Sequence, residues 1–386
     1  MEVVQIRNLV NNATSEVLGQ SDILTEDLSN IVDVGTQIFN AEAVDRYVRS
    51  LVNQIGKIIF VSRPYHGGVP SVLMDSWEFG SVLEKITVDL PEASENESWE
   101  LTDGASYDPN IFYKPKVSAK FFNKKVTFEV DMSFTEMQVK QSFQNATQLN
   151  SFLSMLYTAV DKSMTIKLDA LVMRTINNFI GETIYADYAA EGLNTKSGVR
   201  AINLLYLYKQ KYADAANLTA EKAMVTPEFI RFASYTMANY MDRLTRISTL
   251  FNIGGRDRFT PKDMLHVVML SDFRNAADIY LQSTTFHDSY TALPNAETIP
   301  YWQGSGETFG FDKVSSIHVK TTGNKEVTAG GILCVMFDRD ALGVSNLSRR
   351  VTTNYNAKGE FWNNFYKFDA GYFNDQNENF LVFFVA

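Results

Sequence analysis

The sequence predicts an α+β protein, and three observations support this fold class. Apolar residues recur every three or four positions, with no proline, from residue 147 to about 183, which predicts a long helix. Apolar and polar residues alternate in residues 82–90 and again in 126–132, which predicts strands. The chain ends in an apolar run, residues 379–386, which we expect to be paired in a sheet.

The length of the chain limits how these elements can be arranged. With 386 residues and 45% hydrophobic content, the chain can bury a sizeable core, but it exceeds the usual size of a single domain. We therefore expect two lobes or one elongated subunit of several parts. A continuous helix over residues 147–183 would be about 54 Å long, too long for a round globule of this mass. The alternative is a pair of helices broken near residues 161–163.

Residues 1 to about 55 have the pattern of a helical arm. Two amphipathic sets support it: Leu24, Leu28, Ile31 and Val32, and then Val44, Tyr47, Val48, Leu51 and Ile55. The segment is too polar and too short to form a domain with its own core. We expect it to lie on another surface, for which a second subunit is one candidate.

A long acidic segment connects the two alternating runs. Prolines and glycines at residues 63–70 end the helical pattern before it. Between Pro91 and Pro115, six acidic residues are accompanied by one basic residue and by interleaved aromatic residues, which are too frequent for plain disorder. We interpret the segment as an extended β-hairpin arm that contacts a neighbouring subunit. The candidate contact residues are Trp99, Tyr107, Phe112, Tyr113, Glu92 and Glu95.

Residues 184 to about 338 predict a separate lobe of helices and strands. Thr226 as N-cap and Pro227 at the first helical position mark the start of one helix. The predicted elements are helices at 199–212, 227–247 and 271–281, and strands at 264–270, 317–320 and 331–337. From Ser348 the chain returns to long strand-like runs, which we expect to rejoin the lobe of the long helix.

Composition excludes several classes of function. The net charge of −10 argues against tight binding of nucleic acid, because few counterions would be released. The single cysteine, Cys334, allows neither an intramolecular disulfide nor a cysteine-based metal cluster. The sequence has no secretion signal and no apolar stretch long enough to span a membrane, so we expect a soluble protein that stays inside the cell that makes it.

The residues that usually carry catalysis are scarce and scattered. The four histidines, at 66, 266, 287 and 318, lack partners at metal-ligand spacing. Gly304 to Gly310 misses the spacing of a dinucleotide-binding loop. Asp338 and Asp340 follow a predicted strand and could hold a divalent ion, but a helix N-terminus stabilised by its own acids is the favoured interpretation. We therefore predict no catalytic residue, no metal and no cofactor.

The order of these parts resembles a known family. Helical arm, two-stranded loop, long helix, mixed lobe and returning strands is the order of the tailed-bacteriophage major capsid protein, the HK97-like fold. Residues 77–86, WEFGSVLEKI, then 91–93, PEA, then 119–123, AKFFN, and 126–131, VTFEVD, are similar to capsid proteins of small, short-tailed phages. The function that this resemblance implies is inferred by analogy with the fold.

The resemblance also implies a division of the chain. Residues 1–76 would be the N-terminal arm and linker, 77–134 the extension loop over a neighbour, 135–183 with 339–386 the peripheral domain with its spine helix, and 184–338 the axial domain. The subunit would form pentamers and hexamers of an icosahedral or prolate shell.

The implied partners are further copies of the chain, a separate scaffolding protein, a portal protein, and double-stranded DNA enclosed without tight binding. No membrane is involved. The protein would belong to the virion and be assembled in the cytoplasm of a host bacterium. Two alternatives stay open at this point: an encapsulin-type cellular compartment, and a metal-dependent hydrolase using Asp338, Asp340 and one histidine.

Overall fold

A computed structural model describes the chain over a set of ranges. These are residues 3–19, 25, 30–40, 44–61, 69, 72–74, 83–88, 91, 93, 103–104, 108, 110–144, 146–189, 191–282, 296–303 and 310–386. Glu92, Glu95, Trp99 and Tyr107 lie outside the described residues, as do His66, His287, the residues 63–68 and the loop residues 304–309.

The described chain begins with three helices, ends with six strands, and mixes helices and strands between them. The helices are α1 (Val3–Leu18), α2 (Ile31–Asn40), α3 (Val44–Val61), α4 (Glu136–Ser142), α5 (Ala146–Tyr188), α6 (Leu204–Lys211), α7 (Ala220–Ala223), α8 (Pro227–Leu244), α9 (Ser271–Gln282) and α10 (Phe311–Val314). The strands are β1 (Leu73–Met74), β2 (Leu83–Val88), β3 (Val117–Phe122), β4 (Lys125–Thr135), β5 (Ala201–Asn203), β6 (Leu265–Leu270), β7 (Glu297–Ile299), β8 (Ile317–Lys320), β9 (Glu326–Ala329), β10 (Ile332–Asp338), β11 (Leu342–Asn356), β12 (Phe361–Asn374) and β13 (Phe380–Phe384).

The chain divides into two compact units. Unit 1 contains Met1–Phe79, Lys125–Val172 and Val344–Gly371, and unit 2 contains Gly80–Lys124, Met173–Gly343 and Tyr372–Ala386. Each unit is assembled from three separated segments of sequence. The units describe packing within one chain, and the division into arm, extension loop, peripheral domain and axial domain is a separate, functional proposal.

Unit 1 combines helices with a sheet of strand order β1-β11-β12-β4. The helix α1 packs on α3, and buried residues such as Val10, Tyr47 and Val48 fill the contact. Tyr47 also lies 5.6 Å, between ring centroids, from Phe143, and the indole nitrogen of Trp362 donates to Asp45 at 2.9 Å. The helix α3 therefore lies on its own chain, and a contact of this segment with a second subunit stays a prediction.

The long helix is continuous. α5 runs over 43 residues, from Ala146 to Tyr188, so the prediction of one helix is confirmed and the alternative of a break near residues 161–163 is wrong. Residues three and four positions apart are buried along it, because that spacing keeps them on one face. Buried apolar residues of α5 include Leu149, Leu153, Leu156, Val160, Met164, Leu168, Leu171, Val172, Ile176 and Phe179.

Unit 2 is built on a sheet of strand order β5-β13-β10-β6-β7. β13 lies inside this sheet, parallel to β5 and antiparallel to β10, and all its residues are buried. The prediction that the apolar end of the chain is paired in a sheet is confirmed. β13 pairs with strands from the 184–338 segment, whereas the sequence suggested a return to the lobe of the long helix; its Phe380 also stacks on Phe179 of α5, with centroids 4.1 Å apart.

Two local predictions need correction. Residues 199–212 are not helical throughout, because Ala201–Asn203 pairs with β13 and α6 begins only at Leu204. Asn203 separates the two elements, since its side chain accepts a hydrogen bond from the backbone of Tyr206 at 3.0 Å and caps the helix. Asp338 does not precede a helix: residues 339–341 form a turn between β10 and β11.

Candidate interaction surface

The predicted extension loop contains a two-stranded hairpin. β2 pairs with β3 in antiparallel register, from Leu83 opposite Phe122 to Val88 opposite Val117. The second alternating run of the sequence, β4, pairs instead with β12 in a different sheet. The strand β3 was not predicted, and its signal is the alternation of residues 117–122 just before Asn123. We call the pair β2 and β3 the extension hairpin.

The outer face of the extension hairpin is apolar and exposed. Successive side chains of a strand point to opposite faces, so every second residue belongs to this side. Its large apolar side chains are exposed by more than half: Ile86 by 63%, Val88 by 53%, Val117 by 57% and Phe121 by 62%. Contiguous exposed apolar surface of this kind is typical of interaction sites.

The exposed surface continues in the residues before β3. Ile111 is 53% exposed, Phe112 84% and Tyr113 82%. Phe112 and Tyr113 are the two predicted contact residues that the structure describes, and aromatic side chains are enriched where proteins bind one another. The structure thus adds four strand residues to the candidate contact residues. Alternation in residues 82–90 could have suggested the two in β2, and the two in β3 could have been found if β3 had been recognised.

The inner face of the hairpin carries charge. Lys85 Nζ lies 3.0 Å from Asp375 Oδ2 and 2.6 Å from Glu378 Oε1. Lys120, directly opposite Lys85 in the register, lies 2.8 Å from Asp375 Oδ1. Arg258 Nε reaches Glu378 Oε1 at 3.2 Å. We call these five residues the charged cluster.

Burial and charge shift the pKa values within the charged cluster. Burial alone would lower the pKa of Lys85, but hydrogen bonds and charge from Glu378 and Asp375 outweigh it and raise the pKa above its ordinary value. Burial tends to raise the pKa of Asp375, and the two lysines outweigh it, so the pKa is lowered. For Glu378, the effect of burial is larger than the opposing effect of Lys85 and Arg258, so the pKa is raised.

One turn holds both carboxylates of the charged cluster. Asp375 and Glu378 are three residues apart between β12 and β13, and the backbone N–H of Glu378 donates to the carbonyl of Asp375 at 3.1 Å. Gly254 fixes the turn from outside, donating its N–H to the carbonyl of Gln376 at 2.8 Å. A Cβ at residue 254 would overlap the side-chain oxygen of Asn377, so glycine lets the two turns approach without moving that side chain.

The acidic pair suggested for metal binding has another role. Both carboxylate oxygens of Asp338 accept hydrogen bonds, from the Thr260 hydroxyl at 2.8 Å and from the Asp340 backbone at 2.9 Å. Asp338 is buried, and it stabilises the turn after β10. Over the described part of the chain, no three His, Cys, Asp or Glu side chains are placed to hold a metal ion.

In unit 2, His266 is half-buried and Cys334 lies in the core. His266 in β6 stacks on Phe337, with centroids 5.7 Å apart, and burial lowers its pKa. Cys334 in β10 is fully buried, and burial raises the pKa of its thiol, which disfavours the reactive thiolate. Among the helices that the structure describes, none has the length and hydropathy needed to cross a membrane.

Two solved structures share this fold. The first is described as "Capsid structure of Staphylococcus phage Andhra", with a TM-score of 0.51 and 10% identity, covering 84% of this chain and 86% of that chain. The second is described as "Structure of head fiber and inner core protein gp22 of native bacteriophage P68", with a TM-score of 0.51 and 8% identity, over 84% and 86% of the two chains. At these identities the likeness shows the fold alone, and the HK97-like α+β prediction is confirmed.

Sequence comparison identifies the family. No curated protein matches the sequence. The family model described as "Phi29-like phage major capsid protein" matches residues 8–384, nearly the whole chain. The predictions of a shell-forming structural protein of the phage virion, and of a chain that is not an enzyme, are thereby confirmed. The chain belongs to the Phi29-like phage major capsid protein family.

Proposed function

We propose that this capsid protein forms pentamers and hexamers of an icosahedral or prolate shell, and that the extension hairpin makes a contact between neighbouring subunits. The observation that carries the proposal is the exposed apolar outer face of the hairpin. A soluble monomer gains nothing from exposing Ile86, Val88, Val117 and Phe121 together, whereas a subunit of a shell can bury them against a second copy.

The two alternatives of the sequence analysis are not favoured. An encapsulin-type compartment would share the fold, but the family that matches is a phage capsid family. A metal-dependent hydrolase would need Asp338 as a ligand, and both its oxygens are already engaged by Thr260 and Asp340. The alternatives would differ from a phage capsid in what the particle encloses or in a measurable hydrolytic activity.

The partners of the shell are part of the proposal. We infer that the shell encloses double-stranded DNA, that a separate scaffolding protein directs its assembly, and that a portal protein occupies one vertex. The net charge of −10 supports an enclosure that does not bind its DNA tightly, because a wall that held the DNA would oppose filling and release.

The regions of the chain receive roles on the same basis. We assign 1–76 to the arm and linker, 77–134 to the extension loop, 135–183 with 339–386 to the peripheral domain, and 184–338 to the axial domain. The acidic and aromatic residues of the extension loop are the proposed contacts with a neighbour. They are Glu92, Glu95, Trp99, Tyr107, Phe112 and Tyr113.

Electron microscopy and light scattering of the purified protein, alone and with candidate scaffolding protein, test assembly directly. Rings, sheets or closed polyhedral particles are the expected result. A monomer or dimer under every condition would overturn the proposed shell. Nucleic acid recovered from particles made during infection separates a phage head from a compartment for an enzyme.

The role of the extension loop is tested in the same assay. The double variant Phe112→Ser/Tyr113→Ser should stay folded, because both side chains are exposed, but it should form at least tenfold fewer particles. The matched control is Tyr235→Ser, which removes a side chain of α8 that is 62% exposed and outside the loop. Normal particles from the double variant would contradict the role of these contacts.

A further inference from the structure

The inner face of the extension hairpin is organised in three successive pairs. Leu83 is opposite Phe122, Lys85 is opposite Lys120, and Thr87 is opposite Ser118. The apolar pair lies at the base, where the ring of Phe122 is 5.0 Å from the ring of Phe373. The hydroxyl pair lies farthest along and is bonded within the hairpin, with the oxygens of Thr87 and Ser118 2.9 Å apart.

The charged pair in the middle is unfavourable on its own. Two residues directly opposite in an antiparallel pair have Cβ atoms about 4.5–5.5 Å apart, and like charges there destabilise the pair. Asp375 offsets this repulsion, because one of its oxygens contacts Lys85 at 3.0 Å and the other contacts Lys120 at 2.8 Å. The hairpin therefore depends on a carboxylate that comes from a segment more than 250 residues away in sequence.

The contacts of the charged cluster are shielded from water. The side chain of Asp375 is 1% exposed and that of Glu378 is 9% exposed. Interactions between buried charges are screened by salt much less than those between exposed charges. Removing Lys85 leaves Asp375 with Lys120 and Glu378 with Arg258, so each buried carboxylate loses one of its two partners, which destabilises the cluster.

The two carboxylates also come from the same turn. That turn connects β12 with β13, which lies between β5 and β10 in the buried sheet, and Arg258 contacts the Glu378 oxygen that Lys85 also contacts. The contacts of Lys85 and Lys120 with this turn therefore connect the hairpin to the buried sheet of unit 2.

We propose that Asp375 and Glu378 are positioning residues for assembly: they clamp Lys85 and Lys120 and thereby hold the extension hairpin at the angle from which its apolar outer face meets a second copy of the chain. The inference rests on the proposed role of the hairpin as an inter-subunit contact. It assigns a function to charged residues that do not themselves touch the neighbour.

Hydrogen exchange of the isolated full-length chain tests the clamp without any assembly. In the double variant Asp375→Asn/Glu378→Gln, backbone amides of β2 and β3 should exchange at least tenfold faster than in the wild type. Amides of β10, in the core of the same unit, should keep their wild-type rates. Unchanged exchange in β2 and β3 would overturn the clamp.

Assembly then tests the positioning role. Particle yield with scaffolding protein should fall at least tenfold for the double variant and for Lys85→Met. Lys85→Arg retains the positive charge and should restore most of the yield, which loss of packing alone does not predict. Wild-type yield from both Lys85→Met and the double variant would overturn the positioning role.

The outcomes separate this inference from the proposed shell. If the wild type forms no particles, the proposed function fails, whereas the exchange rates of β2 and β3 still decide whether the clamp exists. If the double variant misfolds, β10 exchanges faster as well, and the comparison of Lys85→Met with Lys85→Arg decides instead. Equal exchange in β2 and β3 for those two variants would contradict the clamp.

Discussion

The extension hairpin and the strand β13 contain similar residues in opposite surroundings. Both are rich in phenylalanine and β-branched or aliphatic residues, yet β13 is buried on both faces while Phe121 and Ile86 of the hairpin are more than 60% exposed. β13 has β5 and β10 as neighbours, whereas among the described strands β2 and β3 pair only with each other. β13 is buried by other parts of its own chain, whereas the outer face of the hairpin is not. In a shell protein, such an exposed apolar face supports the proposed contact with another copy.

The largest expected effect separates two phenylalanines. Phe383→Ala in β13 removes a fully buried ring and should reduce the free energy of unfolding by about 3–5 kcal/mol. Phe121→Ala in β3 removes an exposed ring and should change it by less than about 0.5 kcal/mol, while lowering particle yield. Denaturant unfolding of the two full-length variants measures both changes in the free energy of unfolding, and the assembly assay measures the particle yield.

Two outcomes would contradict the contrast between β13 and the extension hairpin. A loss of stability from Phe121→Ala as large as that from Phe383→Ala would mean that the hairpin is covered in the isolated chain. Normal assembly of Phe121→Ala would mean that the outer face is not used between subunits.

A smaller effect tests how closely the buried sheet is packed. Gly331, at the start of β10, has a φ of +71°, and a Cβ there would overlap the carbonyl oxygen of Val385. Gly255 has a similar φ of +63°, with no atom within 4 Å of its Cβ position. Both alanine variants carry the cost of a left-handed backbone, about 1–2 kcal/mol. The overlap with Val385 should make Gly331→Ala less stable than Gly255→Ala by about 1–3 kcal/mol.

Denaturant unfolding of the two glycine variants gives the difference directly. Because the backbone cost is common to both, the difference reports the contact with Val385 alone. Equal stabilities would show that the end of β13 can shift away from β10, and the contrast with the open hairpin would weaken.

Much of this fold could be predicted from the sequence, and the reasons for the failures are physical. The spacing of apolar residues in α5 was sufficient to predict a long helix, and the apolar run at the end of the chain was sufficient to predict a paired strand. Each pattern is long and has one structural solution. The partner of β2 could not be predicted, since alternation shows which face a residue occupies and carries no information about which strand lies beside it. Residues 201–203 became a strand because pairing with β13 outweighed a local helical pattern.

The candidate surface was predictable only in part. Exposed Phe112 and Tyr113 were found from aromatic residues in an acidic loop. The charged cluster was not, because Lys85 and Lys120 meet Asp375 and Glu378 only after the chain has folded, across more than 250 residues. A sequence pattern with a period of two or four residues cannot report such a contact.

The smallest expected effect is confined to the charged inner face and depends on pH. Burial raises the pKa of Glu378 above its ordinary value of 4.5, against the charges of Lys85 and Arg258, so the folded chain as a whole gains stability as the pH falls through that raised pKa. The pKa of Asp375 is lowered below its ordinary value of 3.8, so its contribution is present above that value and is lost as the pH falls further. The free energy of unfolding that these two groups contribute should therefore pass through a maximum between the two folded-state pKa values.

Variants of the two carboxylates assign the two limbs of this profile. Glu378→Gln should remove the rise in stability on the higher-pH side, and Asp375→Asn should remove the fall in stability on the lower-pH side. Denaturant unfolding at each pH gives the profile, and the difference between variant and wild type cancels groups outside the cluster, such as His266, whose pKa is lowered by burial. A pH profile that neither variant changes would contradict the charged cluster, and would leave the contact of Phe122 with Phe373 as the interaction that holds the hairpin.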